Sequence, residues 1–571
     1  MSLPHDNARY GARFRVGVFL LLGALVACEG GRDGIVAGAD APLGPRNDVV
    51  VSGLLAAATK RSVVPTQSQV DGEMESRLGG LPTEQNFHLG GFGIGPLQNL
   101  PDPLNVDLTV PVGARVHVNA EGEEEPTMLR LMWLSDPQSA TDVVLVSLDA
   151  VGAGNIIQSR LKQSIAAATG ANPDNILFGQ THTHAGADLQ GLWGGVPQSW
   201  VDDLMDKAAA AAVQAQAELR PVTLEYQRSE LPEFNNYRRP RIFRDAEADT
   251  TASVLTARAR DTGAVVATLL QYNAHPTSVG TGEDPRVPHP DFPLGATDAL
   301  EARGGVALYF NGPIADASGA GGNCEGDVYV RVRCRGEALA GAALDAAPVP
   351  VAGALTVRHA TAYLPVTNPV FLAAAALGSF NRYYNFTELP TDQLPLPETL
   401  LNSLPQLAPY AVTTVSRISI GDALEIVTIP GEAPNTFGEY IQALAGERDV
   451  MLFGLTHNSF GYIIPEEEFS YLDLTGETGF LLPFTNYEEY VSLGPLTAPL
   501  LRIQAYAPLF DAPLDRFAPP SLVACYDPTV GDRCVFEDVQ GQLDYVQRGY
   551  HSRCVEAFGE DNAFCNLIDP G

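Results

Sequence analysis

The chain has 571 residues, 45% of them hydrophobic, and a formal net charge of -33. That content builds a large folded body with one or two appendages and excludes a disordered chain. The acidic field repels phosphate backbones, and no basic patch, Lys-bearing phosphate loop or dinucleotide glycine fingerprint interrupts it, so neither nucleic acid nor a nucleotide cofactor is expected as a partner.

At the N-terminus, Arg9, Arg13 and Arg15 precede an apolar run from Val16 to Val26 that is short for a bilayer span. It ends in Leu25-Val26-Ala27-Cys28, which resembles the lipobox of bacterial lipoproteins. The resemblance implies a signal peptide over 1–27, an acyl anchor on Cys28 and a cell-envelope location; Glu29 after the cysteine leans to the outer membrane or cell surface. A cleaved signal peptide with an incidental cysteine, or an uncleaved anchor, is the alternative. Residues 28–62, rich in Gly, Ala, Asp and Pro at their start, read as a flexible tether.

A globular pattern occupies 63–510. An apolar strand at Asp142–Asp149, a helix from Asn155 to Ala168 stopped by Gly170, and a strand at Ile176–Phe178 form a strand-helix-strand unit of an α/β fold. In such sheets, functional loops gather beyond the carboxyl ends of strands. A helix is expected near Asp202–Leu219, with strands near Val222–Gln227, Val265–Tyr272 and Val306–Phe310. Beyond Phe510 the periodicity fades into a Pro- and Cys-rich tail over 511–571. With Cys28 set aside, an even number of cysteines remains. In an oxidising compartment these read as a disulfide between Cys324 and Cys334 and two more among Cys525, Cys534, Cys554 and Cys565. Buried thiols or a metal knot are the alternatives for the tail, although it lacks a Cys-x-x-Cys pair.

Several apolar strands end at residues able to do chemistry. His182 and His184, two apart, fall on one face of an extended backbone and can share a ligand, flanked by Gly186 and Gly191. His275 follows Val265–Leu270, Ser318 lies in Ala315-Asp316-Ala317-Ser318-Gly319, Glu432 follows Leu424–Ile429, and Tyr462 follows Phe460-Gly461. Each alone reads equally well as a structural residue.

Their order is what distinguishes them. His182-Thr183-His184, Arg238-Arg239-Pro240, His275-Pro276-Thr277-Ser278, Asp316-Ala317-Ser318, Pro430-Gly431-Glu432 and Gly461-Tyr462-Ile463 resemble, in sequence, the motifs of the neutral ceramidase family from about Val63 to Phe510. The resemblance implies a mixed-sheet α/β catalytic domain and one Zn2+ ion bound by His182, His275, Glu432 and Tyr462. It further implies catalytic roles for Ser318, His184, Arg238 and Tyr487. Around Ser318 the family pattern has drifted to Ala315, Ala317, Gly319 and Ala320, and Tyr487 stands farther from Tyr462 than the family spacing. The short Cys-bearing tail stands where the family commonly has an immunoglobulin-like domain. The segment 378–407 reads as a lipid-binding mouth or a surface loop.

The activity implied is zinc-dependent hydrolysis of an N-acyl amide, ceramide or a related lipid, giving sphingoid base and fatty acid. Ser318 is either nucleophile or orienting partner. The competing readings are a metal-independent serine hydrolase using Ser318 and His184, and a surface lipoprotein that binds lipids or glycans without turnover.

Overall fold

The computed structural model describes residues 53–78, 81–85, 87–91, 115–237, 249–280, 287–368, 371–372, 375, 382–389, 408–465, 488, 491–494, 496–512 and 555. Cys28, Arg238, Tyr487 and the four tail cysteines lie outside them. Among the described residues no helix is long and apolar enough to cross a membrane.

The elements that position the site are, in chain order, β1 Leu55–Ser62, β2 Met128–Asp136, β3 Thr141–Leu148, α1 Asn155–Thr169, β4 Ile176–Gln180, α2 Gln198–Ala217 and β5 Arg220–Glu230. Then come β6 Thr251–Ala259, β7 Val265–Tyr272, α3 Phe292–Glu301, β8 Val306–Asn311 and α4 Val328–Ala343. The last group is β9 Leu355–Pro365, β10 Tyr410–Ile420, β11 Leu424–Thr428, α5 Asn435–Ala445 and β12 Asp449–Phe453. The strand-helix-strand unit around Asn155 is present, and Gly170 ends α1 in the left-handed conformation at φ 77, which spares a side chain the clash there.

A nine-stranded sheet has the order β8-β7-β6-β5-β1-β2-β3-β4, with Val349–Val351 paired to β5. Its pairs are antiparallel except at the two edges, where β3 runs parallel to β4 and β7 parallel to β8. The sheet curls until those edges meet: the Ser147 hydroxyl donates to the Tyr309 carbonyl at 2.6 Å, and the Asn311 amide donates to the Thr181 carbonyl at 2.6 Å. In the second sheet β9, β10 and β11 are antiparallel and β12 is parallel to β11.

One core lies between the two sheets, where Leu145, Leu177, Leu269 and Leu308 pack with Ile418, Ile426 and Met451, and where Phe310 and Phe453 stack at 4.0 Å between centroids. α1 and α2 close a second core with Trp133, Val146 and Trp200. α3 and α4 close a third around Tyr272 and Phe292. These two helices cross at glycines: a methyl on Gly295 would sit 1.9 Å from the Arg333 carbonyl, and one on Gly336 2.0 Å from that of Phe292.

One boundary needs correction. Residues 55–62, read as the end of the tether, form β1, a central strand paired to β2 along its whole length and to β5 at its start. Its sequence Leu-Ala-Ala-Ala-Thr-Lys-Arg-Ser shows little alternation because both faces at Ala56 and Ala57 are buried, so composition alone makes it look like linker. The expected disulfide between Cys324 and Cys334 is present, with Cα atoms 5.9 Å apart.

Candidate metal centre

Each described candidate lies just past the carboxyl end of a strand in one of the parallel pairs. β4 leads to His182, β7 to His275, β8 to Ser318, β11 to Glu432 and β12 to Tyr462. Parallel strands present their carboxyl ends together, so residues far apart in sequence converge.

The His182-Thr183-His184 segment is not an extended strand. The chain turns at His182, whose φ is 62, while its amide donates to the Ala150 carbonyl. The side chains still meet, for a reason other than strand alternation: the turn brings the two Nε2 atoms to 3.2 Å. Left-handed backbone at a histidine is uncommon and is held here by the surrounding structure.

His275 is fixed beside the Ser318 segment. Its amide donates to the Ala317 carbonyl, and the Gly319 amide donates back to the His275 carbonyl. Ser318 therefore runs alongside His275 as a short parallel bridge. Across it, Asn235–Tyr237 pairs with Ala317–Gly319, so the described chain stops one residue before Arg238. Asp316, retained from the family pattern, accepts from the Asn435 amide at the start of α5 at 3.1 and 3.2 Å, which makes it a helix cap. Glu432 and Tyr462 form another parallel bridge, fastened by the Glu432 amide to Gly461 and the Ile463 amide to Glu432. The Tyr462 ring lies 6.4 Å from that of His275 between centroids.

The ring nitrogens of His182, His184 and His275 lie within 4.8 Å of one another. Glu432 reaches the same point: one carboxylate oxygen is 3.0 Å from His275 Nε2 and 3.3 Å from His182 Nε2. Glu432, His182 and His275 are buried, whereas His184 is half-buried. Burial opposes ionisation of Glu432; positive charge on His182 and His275, with hydrogen bonds from them, outweighs it when those rings are protonated and holds the carboxyl well below the usual carboxylate range.

The tautomers follow from the outer partners. His182 Nδ1 faces the Val151 carbonyl and His275 Nδ1 faces the Ala317 carbonyl, so both Nδ1 atoms carry hydrogen. In neutral rings, both Nε2 lone pairs then point at a carboxylate oxygen. Lone pairs converging on lone pairs in a buried space repel, and a cation between them converts the repulsion into coordination. Nitrogen and oxygen donors of this kind suit a divalent ion such as zinc.

Sequence reasoning did not find the Val151 and Ala317 carbonyls, since a main-chain acceptor has no residue signature. It also passed over the support beneath the 454–464 loop. There the Ser459 hydroxyl donates to Gln180 at 2.8 Å, and the Ser459 carbonyl accepts from Gln190 at 2.8 Å and from Tyr384. Beside this segment lies a small apolar cavity of about 10 Å³, lined by Leu192, Phe371, Tyr384, Phe386, Phe460 and Leu493.

No protein-family model and no curated protein sequence matches the chain. Solved structures do. A neutral ceramidase from Pseudomonas aeruginosa aligns over 85% of this chain and 78% of its own, at TM-score 0.54 and 17% identity. A ceramidase complexed with C2 aligns over 82% and 77%, at TM-score 0.56 and 18% identity. The chain therefore has the mixed α/β fold of a neutral ceramidase catalytic domain.

Proposed function

We propose that this protein is a zinc-dependent amidohydrolase that cleaves the N-acyl amide of a lipid, ceramide foremost, to a sphingoid base and a fatty acid. The observation that carries the reading is the convergence of His182 Nε2 and His275 Nε2 on one Glu432 oxygen, with both Nδ1 hydrogens committed elsewhere. The fold supports it, since the solved structures it resembles are ceramidases.

His182, His275, Glu432 and Tyr462 hold the ion in this reading. Once bound there, zinc supplies Lewis acidity at the amide carbonyl and acidifies water toward neutral pH. His184 is assigned to the substrate side because it is the least buried of the three histidines. Its imidazole donates to the carbonyl oxygen as negative charge develops there, a form of stabilisation that dominates many acyl-transfer reactions. Ser318, beside His275, presents its hydroxyl to the scissile amide as nucleophile or orienting partner. Arg238 and Tyr487 complete the substrate contacts. An acyl group on Cys28 would hold the enzyme at the cell envelope.

The test uses purified protein beginning after Cys28 and short-chain fluorescent ceramide. Turnover is expected to disappear on chelation and return with added zinc at about one ion per chain. Undiminished turnover by protein stripped of metal would sink the reading. Mass spectrometry of the mature N-terminus decides the anchor: a diacylated or triacylated Cys28 is expected, and an unmodified one refutes it.

A further inference from the structure

The loops that carry His182, His184 and His275 are joined by a third segment whose groups are all buried. The His289 amide donates to the Ala185 carbonyl at 3.0 Å, and the Thr183 hydroxyl donates to the His289 carbonyl at 2.7 Å. His289 thus holds the His182–Ala185 turn from both sides. Two residues on, one Asp291 oxygen accepts from the Ser278 and Val279 amides, each at 2.8 Å, and so holds the loop that follows His275. The loops also touch directly, through the His184 amide and the Pro276 carbonyl at 3.1 Å.

His289 and Asp291 are both 0% exposed. The Asp291 amide donates into His289 Nδ1 at 2.9 Å, which places the ring hydrogen on Nε2. That hydrogen meets Glu125 at 3.1 Å, and Arg333 of α4 binds the other Glu125 oxygen at 3.0 Å. The His289 ring is therefore locked in one tautomer and one orientation. Asp291 meanwhile sits at φ 61 and ψ -153, a region ordinarily left to glycine. A residue kept in that conformation, with one carboxylate oxygen spent on two amides of a neighbouring loop and the other on the Phe292 amide that opens α3, is held there for what the carboxylate does.

We infer that His289-Pro290-Asp291 is a clasp that sets the two histidine loops in register before any metal arrives, with His289 and Asp291 as positioning residues. The register itself does not depend on the hydrolase reading; its consequence for metal affinity does.

Asp291→Gly separates the clasp from the turn, because glycine accepts the backbone conformation while removing the carboxylate. Amide hydrogen exchange on metal-free protein is the first readout. Exchange at Ser278 and Val279 is expected to rise more than about tenfold, as for amides that lose a buried acceptor, while the β2 and β3 amides stay protected. Titration with Co2+ followed by its visible absorption is the second. Affinity is expected to fall about 10–100-fold, the usual effect of losing an outer partner of a ligand. Asp291→Asn, which keeps one acceptor oxygen, should recover part of both losses. Thr183→Val removes the other arm, together with the longer bond the hydroxyl accepts from the Ala185 amide, and should weaken Co2+ binding by roughly two- to tenfold. This variant carries the test should Asp291→Gly fail to fold.

Unchanged exchange in both loops, or exchange raised evenly along the chain, would overturn the clasp. If wild-type protein binds no Co2+, the hydrolase reading falls while the exchange experiment still decides the clasp. Co2+ binding at wild-type affinity and spectrum in folded Asp291→Gly or Thr183→Val would show that the register does not prepare the site.

Discussion

Substituting single residues at the centre separates holding from reacting. His275→Ala and Glu432→Gln each disturb the shared oxygen-nitrogen contact at 3.0 Å, so zinc stoichiometry should fall below one and turnover should vanish. Tyr462→Phe keeps the ring beside His275 but loses the phenol, and should weaken zinc binding with the fold intact. Ser318→Ala is the contrast: zinc content unchanged, turnover down by at least about 10²-fold, measured by metal analysis and product assay on the same sample. Residue identity made these positions candidates in the sequence, because their order resembles that of the neutral ceramidase motifs. It could not reveal that His182 turns through φ 62, or that Asp316 caps α5, since both depend on partners distant in the chain. Gly461 is another case of distant constraint. At φ 75, with the Val491 carbonyl 2.1 Å from where a methyl would stand, Gly461→Ala should displace Tyr462 and lower zinc affinity before it lowers the melting temperature.

Elements behave differently, because their boundaries were readable and their couplings were not. The apolar period located α1 and β4 within a few residues. Nothing in it showed that α1 supplies Lys162 to a row of polar groups reaching the second sheet. Lys162 Nζ donates to His457 Nδ1 at 2.5 Å, His457 Nε2 to the Ser416 hydroxyl at 2.6 Å, that hydroxyl to His359 Nδ1 at 2.8 Å, and His359 Nε2 to Asn175 at 2.9 Å. A protonated lysine can only donate, so in that state every later direction follows from the first. Burial pushes Lys162 down to about 8, and burial followed by the Lys162 charge keeps His457 well below its usual range. An unfolded chain binds protons that these folded groups refuse. Stability should therefore rise with pH up to about 6.5 through His457 and again between about 8 and 10 through Lys162. Urea midpoints across pH should show both rises, and Lys162→Gln should flatten the upper one. Buried tyrosines act oppositely: Tyr226, pushed up to about 12 by burial, keeps its proton after the unfolded chain has lost it, so stability should decline above about pH 10. The disulfide was readable from cysteine parity, and it closes a separation of 10 residues at the start of α4. Replacing both cysteines by serine should cost about 3 kcal/mol in the unfolded-chain entropy picture, read as a lower urea midpoint.

At the scale of the whole molecule, the sequence announced an α/β body but not its two sheets, nor the curl that joins β4 to β8. Pairing of strands distant in sequence leaves no local trace, and β1, buried on both faces and rich in alanine, showed little alternation to betray it. The consequence concerns time. His182 and His275 belong to the first sheet and Glu432 and Tyr462 to the second, so the centre closes only when the sheets have docked. Divalent metal should then slow unfolding while leaving the refolding rate nearly unchanged, a split that stopped-flow traces with and without zinc would reveal. The same order governs the chain as it is made. At the usual pace of synthesis, Tyr462 leaves the ribosome roughly a quarter of a minute to a minute after His182. A nascent or broken chain ending before Glu432 has histidines without their carboxylate, so on the proposed reading no such fragment can act as the hydrolase.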